Sequence, residues 1–263
     1  MIRFEALHKV YGRLVAVESL TLEIERGSVF GFLGRNGAGK TTTIRMMMGL
    51  LEPTSGTVVL DGHDVRREPE AAKAVIGYLP DRPYLYDKLT GGEFLRFVGG
   101  LYGMPAPEGR ARADELLHDF ALTAQGMELV ETYSHGMKQR LALAAALIHR
   151  PRILVLDEPI VGLDPQGALE LRRLLVRLAD AGVTIFLSTH SLPVAEELCG
   201  RIGIIDHGRL VAVGSLDELR GRTARAVVGG APATPLQEAG SLERIFLDIV
   251  GLDIVGAEKG SRL

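Results

Sequence analysis

A glycine-rich segment places a lysine and a threonine where they can bind a phosphate chain. It reads Gly34-Arg35-Asn36-Gly37-Ala38-Gly39-Lys40-Thr41, here called the phosphate loop, and fits Gly-x-x-x-x-Gly-Lys-Thr at each fixed position. The glycines let successive backbone N–H groups point into one concavity, and a helix starting near Lys40 adds its unpaired N–H groups. Lys40 supplies a full positive charge for the β- and γ-phosphates, and the Thr41 hydroxyl can ligate Mg²⁺. The alternative, a glycine-rich turn with a solvated lysine, is disfavoured by the complete motif.

Two adjacent carboxylates follow a short apolar segment later in the chain. Ile153-Leu154-Val155-Leu156 predicts a buried strand, and Asp157-Glu158 comes directly after it. In open parallel sheets, ligands bind beyond the carboxyl ends of the strands. Asp157 can therefore hold Mg²⁺, and Glu158 can orient or deprotonate a water molecule that attacks the γ-phosphate. A strand that simply reaches solvent is the common alternative, and the presence of a phosphate loop disfavours it.

The segments that must position these residues alternate between strand and helix patterns. Strands are predicted at 28–33, 57–60, 153–156, 184–188 and 202–205, with another around Leu20, Leu22 and Ile24. Helices are predicted at about 40–50, at 169–178 and through 196–198. Short apolar strands that alternate with helices indicate a mainly parallel sheet covered on both faces.

The middle and the end of the chain have different patterns. From about residue 87 to residue 150, apolar residues recur at helical spacing, which predicts a helical insert. The segment Gly229-Gly230-Ala231-Pro232-Ala233-Thr234-Pro235 predicts a linker. The predicted organisation is therefore one domain over residues 1–228 that contains the insert, followed by a linker and C-terminal tail over residues 229–263.

The composition excludes several classes of protein. Of 263 residues, 46% are hydrophobic and 24% are charged, as in a globular domain with a sizeable core. Thirty basic against 33 acidic residues give a formal net charge of −3, which argues against a general attraction to nucleic acid. The single cysteine, Cys199, excludes an internal disulfide framework. With no signal-peptide pattern and no run of about 18 apolar residues, a cytosolic chain without a membrane span is predicted.

A further motif distinguishes among the kinases, GTPases and ATPases that carry phosphate loops. Tyr133-Ser134-His135-Gly136-Met137-Lys138-Gln139-Arg140 lies shortly before the Asp157-Glu158 strand. It resembles the signature motif of ATP-binding-cassette (ABC) ATPases. Three more segments follow in the family's order: Glu158-Pro159, Gly162-Leu163-Asp164-Pro165 and Ser188-Thr189-His190. The resemblance extends from Met1 to about Leu219, and the ordered set of motifs is highly specific.

The resemblance implies an α/β fold with a P-loop NTPase core and a mainly parallel sheet. It also implies an N-terminal antiparallel β subdomain, an inserted α-helical subdomain, ATP as the nucleotide and Mg²⁺ as the metal ion. The predicted catalytic residues are Glu158 and His190. The predicted nucleotide-binding residues are Tyr11, Asn36, Gly37, Gly39, Lys40, Thr41, Thr42, Ser134 and Gly136, and the predicted metal ligands are Thr41, Asp157 and Asp81.

Several of these roles come from the resemblance alone. Tyr11 resembles the aromatic residue that stacks on adenine, with packing at a strand end as the alternative. Ser134 and Gly136 match the signature residues that contact the γ-phosphate bound by a partner subunit, and Ser134 is also expected to cap the following helix. Asp164 resembles the loop aspartate that crosses the dimer interface. His190 resembles the histidine that contacts the γ-phosphate and the attacking water.

The sequence departs from the family pattern at two places. The signature usually begins Leu-Ser-Gly-Gly-Gln, whereas His135 replaces its first glycine and Met137 replaces its glutamine. The remaining serine and glycine imply a working signature with altered contacts outside the phosphate. Asp81 stands where the family has a glutamine. An aspartate can approach Mg²⁺ on a shorter arm, and a turn residue before Arg82-Pro83 is the alternative.

Two segments resemble the export, multidrug-type branch of the family. These are residues 83–91 and residues 242–247. Members of that branch carry one nucleotide-binding domain per chain and work with a separately encoded membrane permease. Tyr84, Leu85 and Tyr86 are predicted either to receive a helix of the permease or to belong to the core of the insert, and both alternatives remain open.

The resemblance implies two subunits that close head to tail on ATP and open after hydrolysis. They form either a homodimer or a heterodimer with a related ATPase subunit. The implied function is ATP-driven export through a permease at the inner face of the cell membrane, with no nucleic-acid partner. A soluble ABC ATPase with a regulatory, nucleic-acid or ribosome-related role is the alternative, against which the near-neutral charge and single phosphate loop argue. The presence of Glu158 and His190 argues against a non-catalytic regulatory module.

Overall fold

The chain alternates strands and helices around two sheets. The computed structural model of the chain describes residues 1–160, 163, 165–227, 242 and 246–247. The strands are β1 (Ile2–Tyr11), β2 (Leu14–Ile24), β3 (Val29–Leu33), β4 (Ser55–Leu60), β5 (His63–Asp64), β6 (Ile76–Leu79), β7 (Ile153–Asp157), β8 (Thr184–Thr189), β9 (Arg201–Asp206) and β10 (Arg209–Gly214). The helices are α1 (Lys40–Met47), α2 (Pro69–Ala74), α3 (Gly91–Leu101), α4 (Ala106–Asp119), α5 (His135–Ala146), α6 (Pro165–Asp180), α7 (Leu192–Leu198) and α8 (Leu216–Val227).

A six-stranded sheet in the order β10-β9-β3-β8-β7-β6 forms the centre of the molecule. All neighbouring pairs are parallel except β9 with β10, which confirms the predicted mainly parallel sheet. Because parallel strands end at a common edge, the residues after Leu33, Leu79, Asp157 and Thr189 emerge together. This edge positions the phosphate loop beside the two carboxylates.

The N-terminal strands form a separate antiparallel sheet in the order β2-β1-β4-β5. Between the two sheets lies an aromatic core in which the Phe186 ring meets Phe4, Phe30 and Phe32 at centroid distances of 6.2, 6.1 and 5.2 Å. These four rings are at most 2% exposed. Their burial couples the antiparallel sheet to the strand that precedes the phosphate loop.

A nearly buried carboxylate also joins the two sheets. Asp61 follows β4 with its side chain 2% exposed, and its oxygens accept from Arg26 at 2.6 Å and Arg152 at 2.7 Å. Burial by itself raises the pKa of Asp61, but the two guanidinium groups outweigh it and hold that pKa below its usual value. The contact fixes the end of β4 to the start of β7.

Helices α3, α4 and α5 form the predicted helical insert. Thr90 and Glu93 make reciprocal hydrogen bonds that cap α3. Helix α5 is buried over its C-terminal half, from Leu141 to Ala146. That burial explains why this half of its sequence is an apolar run without a polar stripe.

The predicted strands and helices are present, and six of the described elements were not predicted as separate elements, namely β1, β5, α2, β6, β10 and α8. Gly162 and Asp164 of the predicted interface loop, and the whole predicted linker at 229–235, lie outside the described residues. Of the tail, Leu242 is fully buried, and its N–H donates to the carboxylate of Glu196 on α7. Among the described residues, the helices are too short or too polar to cross a lipid bilayer.

Candidate active site

The phosphate loop has a backbone that requires glycine at three positions. Gly37 and Gly39 adopt φ angles of +84° and +109°, in the left-handed region that residues with a side chain rarely enter. At Gly34, a Cβ atom would lie 2.5 Å from the carbonyl oxygen of Ile205 on β9. The loop therefore packs directly against a neighbouring strand, which fixes the path of its peptide groups.

The loop leads into a helix whose N-terminus has no side-chain cap. Gly39 is the N-cap of α1, and the first turn of this helix contains no acidic residue. The first N–H groups of a helix have no partner within the helix, and they attract anions. Asn36 is exposed, whereas Thr42 is half-buried in that first turn. The arrangement suits a chain of phosphates.

Lys40 lies inside the concavity of the loop. Its side chain is 7% exposed, and its Nζ donates to the carbonyl oxygens of Gly34 at 2.6 Å and Arg35 at 3.3 Å. Burial lowers the pKa of Lys40, against the attraction of Glu158 and Asp157, which acts in the opposite direction. A phosphate anion would add a further partner for this buried cation.

Asp157 is the last residue of β7 and faces the start of α1. Its Oδ2 accepts a hydrogen bond from the Thr41 hydroxyl at 3.5 Å, and the residue is 4% exposed. Burial is the main cause that raises the pKa of Asp157, and the negative charges of Glu158 and Asp81 act in the same direction. A cation bound beside Asp157 would relieve this cost.

Glu158 lies between three groups at the sheet edge. Its Oε2 accepts from the Thr189 hydroxyl at 3.1 Å, and its Oε1 accepts from His190 Nδ1 at 2.7 Å. Oε1 also lies 3.9 Å from Lys40 Nζ. The structure therefore holds this carboxylate between the ends of β7 and β8, beside the phosphate loop. In this position it can accept a proton from a water molecule near the end of a bound phosphate chain.

The signature segment forms the start of α5. The Ser134 hydroxyl accepts from Met137 N at 3.3 Å and caps the helix, as predicted. A Cβ at Gly136 would meet no atom within 4 Å, so this side of the helix start is open. No hydrogen bond or ion pair within the described ranges joins Ser134 or Gly136 to the phosphate loop of the same chain.

Tyr11 ends β1 with its ring 45% exposed. The Nζ of Lys9 lies 5.2 Å from the ring centroid and also donates to the carbonyl oxygen of Glu52 at 2.7 Å. This residue exposure leaves the ring open to a ligand, and its role in stacking on adenine stays a prediction beside packing at the strand end. The ring can stack on a planar base.

Asp81 lies just after β6 and is exposed. Besides burial, the negative charge of Asp81 raises the pKa of both Asp157 and Tyr78. The pKa of Tyr78 reaches about 12, mainly because of burial and then because of the charge of Asp157. Within the part of the chain that the structure describes, no three acidic, histidine or cysteine side chains converge as a metal site. Thr41 and Asp157 supply two oxygen ligands, a set that fits Mg²⁺, which usually keeps several waters and also binds substrate phosphates.

The structure thus brings five predicted residues together through direct contacts: Lys40, Thr41, Asp157, Glu158 and His190. Tyr11, Ser134 and Gly136 lie on other elements. Two residues of the site had no predicted role: Thr189 hydrogen bonds to Glu158, and the Nε2 of buried Gln139 donates to Pro159 O at 3.3 Å. Thr189 directly precedes His190, and Gln139 lies within the signature segment. Both residues therefore belong to motifs that could have indicated their place in the site.

The phosphate loop lies between strand β3 and helix α1, whose N-terminus has no side-chain cap, and a carboxylate pair lies at the same edge of the parallel sheet. Together these features define a P-loop nucleotide hydrolase. A model of the family described as "ABC transporter" matches residues 17–161. The chain belongs to this family and is an ATP-binding, ATP-hydrolysing subunit.

Relatives and solved structures agree with this assignment. The chain is 37% identical to the linearmycin resistance ATP-binding protein LnrL of Bacillus subtilis (strain 168), over 96% of this chain and 79% of that protein. It is 42% identical to the daunorubicin resistance ATP-binding protein DrrA3 of Streptomyces coeruleorubidus, over 92% and 75%.

Two solved structures share its fold. An ATP-binding subunit of an ABC transporter superposes with a TM-score of 0.83 at 31% identity, covering 95% of this chain and 99% of that one. A dimeric ATP-binding cassette in a post-hydrolysis state, bound to ADP and Pi, superposes with a TM-score of 0.75 at 26% identity, covering 82% and 99%. These matches confirm the predicted α/β fold with a P-loop NTPase core.

Proposed function

We propose that this chain hydrolyses ATP to power export of a substrate through a separate membrane permease. The observation that carries the proposal is the position of Glu158, held by Thr189 and His190 beside Lys40 at the phosphate loop. The two relatives described above are resistance proteins, which supports export and disfavours a regulatory or nucleic-acid role.

The chain's own groups account for binding and for the hydrolytic step. Lys40 and the N–H groups of the phosphate loop and α1 neutralise the phosphate charge. Glu158 accepts the proton of the attacking water, and His190 holds Glu158 in place and contacts the γ-phosphate. Tyr11 stacks on the adenine.

We assign the metal site to Thr41 and Asp157, with Asp81 nearby. When bound there, Mg²⁺ would neutralise charge on the β- and γ-phosphate oxygens. Both residues offer oxygen donors, and the raised pKa of buried Asp157 supports the need for a cation at this place.

The signature completes the site from a second subunit. Ser134 and Gly136 lie at an open helix start, and no described contact joins them to the phosphate loop of their own chain. In a head-to-tail dimer, each ATP lies between the phosphate loop of one subunit and this helix start of the other. ATP then favours the closed dimer, and loss of the γ-phosphate releases it. The dimer consists either of two identical chains or of this chain and a related ATPase subunit.

A groove between the core and the helical insert suits a permease segment. Its volume is about 890 Å³, and Tyr78, Tyr84, Leu85 and Leu101 are among its lining residues. Tyr84 is 83% exposed, as expected for a residue that receives a permease helix. Leu85 is partly buried against the core, as expected for a core residue of the insert. Docking here would place the chain at the inner face of the membrane. In this proposal residues 1–228 form the ATPase domain, with the insert at 87–150, and residues 229–263 form a linker and tail.

The test is the variant Glu158→Gln. We expect its rate of phosphate release to fall by at least about 100-fold, because the amide cannot accept the proton of the attacking water. With ATP and Mg²⁺, size-exclusion chromatography with light scattering should show a dimer that outlasts the wild-type dimer. Mixed tagged and untagged chains, purified together from the source cells, then show whether the partner is identical.

Glu131→Gln is the matched control, since Glu131 is a carboxylate of the helical insert that pairs with exposed Lys88. It should hydrolyse ATP at the wild-type rate. Wild-type activity in Glu158→Gln, or a dimer no more stable than that of the wild type, contradicts the proposed mechanism.

A further inference from the structure

The turn between β9 and β10 lies directly against the phosphate loop. The N–H of Gly208 in this turn donates to the carbonyl oxygen of Ala38 at 2.9 Å. The carbonyl oxygen of the same residue accepts from the N–H of Glu18 on β2 at 2.8 Å. One residue thus connects the phosphate loop to the antiparallel sheet.

The bond to Ala38 has a consequence for the next N–H group. In a trans peptide unit, the C=O and the following N–H point in opposite directions. Because the Ala38 carbonyl is directed to Gly208, the Gly39 N–H is directed away from the turn. This is one of the N–H groups expected to contact phosphate.

The contact leaves no room for a side chain on either glycine. Gly208 adopts φ +80°, and a Cβ there would lie 2.9 Å from the carbonyl oxygen of Ala16. A Cβ on Gly39 would lie 2.5 Å from the same oxygen and 3.5 Å from the Cα of Gly208. The turn, the loop and β2 are therefore packed backbone against backbone.

An ion pair on the protein surface restrains the turn. Arg209 donates from Nε to Glu18 Oε2 at 2.7 Å and from Nη2 to Oε1 at 2.9 Å. This two-bond geometry fixes both distance and orientation between the two side chains. Since Glu18 and Arg209 adjoin the backbone bonds of Gly208, the pair restrains the same contact.

We propose that Gly208 and Arg209 are positioning residues that hold the phosphate loop in its anion-binding conformation. Gly208 orients the Ala38–Gly39 peptide, and the Arg209–Glu18 pair holds the turn in place. The inference rests on the phosphate-binding role of the loop given above. The turn between β9 and β10, which contains none of the sequence motifs, thus supports the phosphate loop.

The experiment compares Arg209→Glu, Glu18→Arg and the double variant that reverses the pair. Binding of a fluorescent N-methylanthraniloyl ATP with Mg²⁺, and the KM for ATP, should weaken about three- to fivefold in each single variant, as for loss of an exposed ion pair. The double variant should recover to within about twofold of wild type. The kcat should stay within about twofold throughout, because the groups at the γ-phosphate are unchanged.

Gly208→Ala is a stronger test of the backbone contact, and we expect it to weaken nucleotide binding by about tenfold or more. Lys88→Glu, which breaks a comparable exposed ion pair in the helical insert, is the control. Its nucleotide affinity should match wild type, although its thermal unfolding midpoint can fall by as much as that of Arg209→Glu.

Three outcomes overturn the inference. These are wild-type affinity in Arg209→Glu, no recovery in the double variant, and a loss in Arg209→Glu that Lys88→Glu reproduces. Lys40→Ala separates this failure from that of the proposed function. If Lys40→Ala binds the nucleotide as well as wild type, the phosphate-binding assignment is wrong, whatever the turn variants show.

Discussion

Glu158 illustrates how one residue takes its role from its neighbours. Its φ of +51° lies in the left-handed region, which is costly for a residue with a side chain. The backbone N–H donates to Ser188 O at 3.0 Å, and the side chain is bonded to Thr189 and His190. These contacts, all from the end of β8 and the residue after it, offset the cost and keep the carboxylate beside Lys40.

Asp81 is the residue whose replacement is most informative about the metal. Its charge acts on Asp157, which we assign as a Mg²⁺ ligand. Asp81→Gln restores the family's usual residue and removes that charge. We expect the Mg²⁺ concentration for half-maximal ATP hydrolysis to rise about fivefold, because carboxylate charge near a cation site strengthens binding.

The measurement is ATPase activity across a Mg²⁺ titration at fixed ATP. Asp114→Asn, an exposed acid on α4, should leave the titration unchanged. An unaltered curve for Asp81→Gln would mean that Asp81 is only a turn residue before Arg82-Pro83.

His149 joins the helical insert to the central sheet. It follows α5, stacks on Tyr102 at a centroid distance of 3.6 Å, and its Nε2 donates to Ile76 O at 3.0 Å. Burial lowers the pKa of His149, although the bond to Ile76 acts in the opposite direction. The folded chain thus favours the neutral ring.

This shift predicts how stability depends on pH. The pKa of His149 is lower in the folded than in the unfolded chain, so the unfolded chain binds more protons as pH falls through about 6.5. Stability from neutral His149 is therefore present above that pH and is lost below it. Between pH 7.5 and 5, we expect the wild-type Tm to fall about 3 °C more than that of His149→Gln.

Differential scanning fluorimetry over this pH range is the measurement. His149→Gln keeps an N–H donor for Ile76 but loses the stack on Tyr102, so its Tm should be lower at pH 7.5. His118→Gln, an exposed histidine on α4, should keep the wild-type pH dependence. Parallel curves for wild type and His149→Gln would show that His149 does not titrate on unfolding.

An exposed aromatic surface adjoins the groove between the core and the helical insert. Tyr84, Tyr86 and Phe97 are 83%, 48% and 42% exposed, and their rings meet edge to face at 5.8 and 5.3 Å. Exposed aromatic clusters of this kind are typical of protein interfaces. The proposed occupant is a cytoplasmic segment of the permease.

Replacing Tyr84 and Tyr86 together by alanine tests this assignment. We expect the fraction of tagged chain that sediments with membranes of the source cells to fall by about threefold or more, because aromatic residues dominate such interfaces. The ATPase rate of the isolated subunit should stay at the wild-type value. Met127→Ala, which removes an apolar side chain that is 82% exposed elsewhere on the insert, should sediment like wild type. Equal sedimentation of all three would place the docking surface elsewhere.

Most of the strands and helices, and the chemistry of the phosphate loop, could be predicted from the sequence. Periodicity predicted the parallel strands, because apolar segments of four to six residues between helices have few other folds. The loop was predictable because its function depends on local backbone geometry, which Gly37 and Gly39 encode through their positive φ angles. The signature, read as a motif, predicted the cap made by Ser134.

Which residues meet in the site depends on the tertiary fold. Glu158, Thr189 and Lys40 are distant in sequence and come together because parallel strands end at one edge of the sheet. The contact between Gly208 and Ala38 joins residues 170 positions apart through backbone atoms, and a glycine in the sequence does not show which distant backbone it meets. The sequence likewise left open whether Tyr84 and Tyr86 receive a partner helix or belong to the core of the insert, and folding leaves both exposed, because a sequence does not record which side chains remain uncovered.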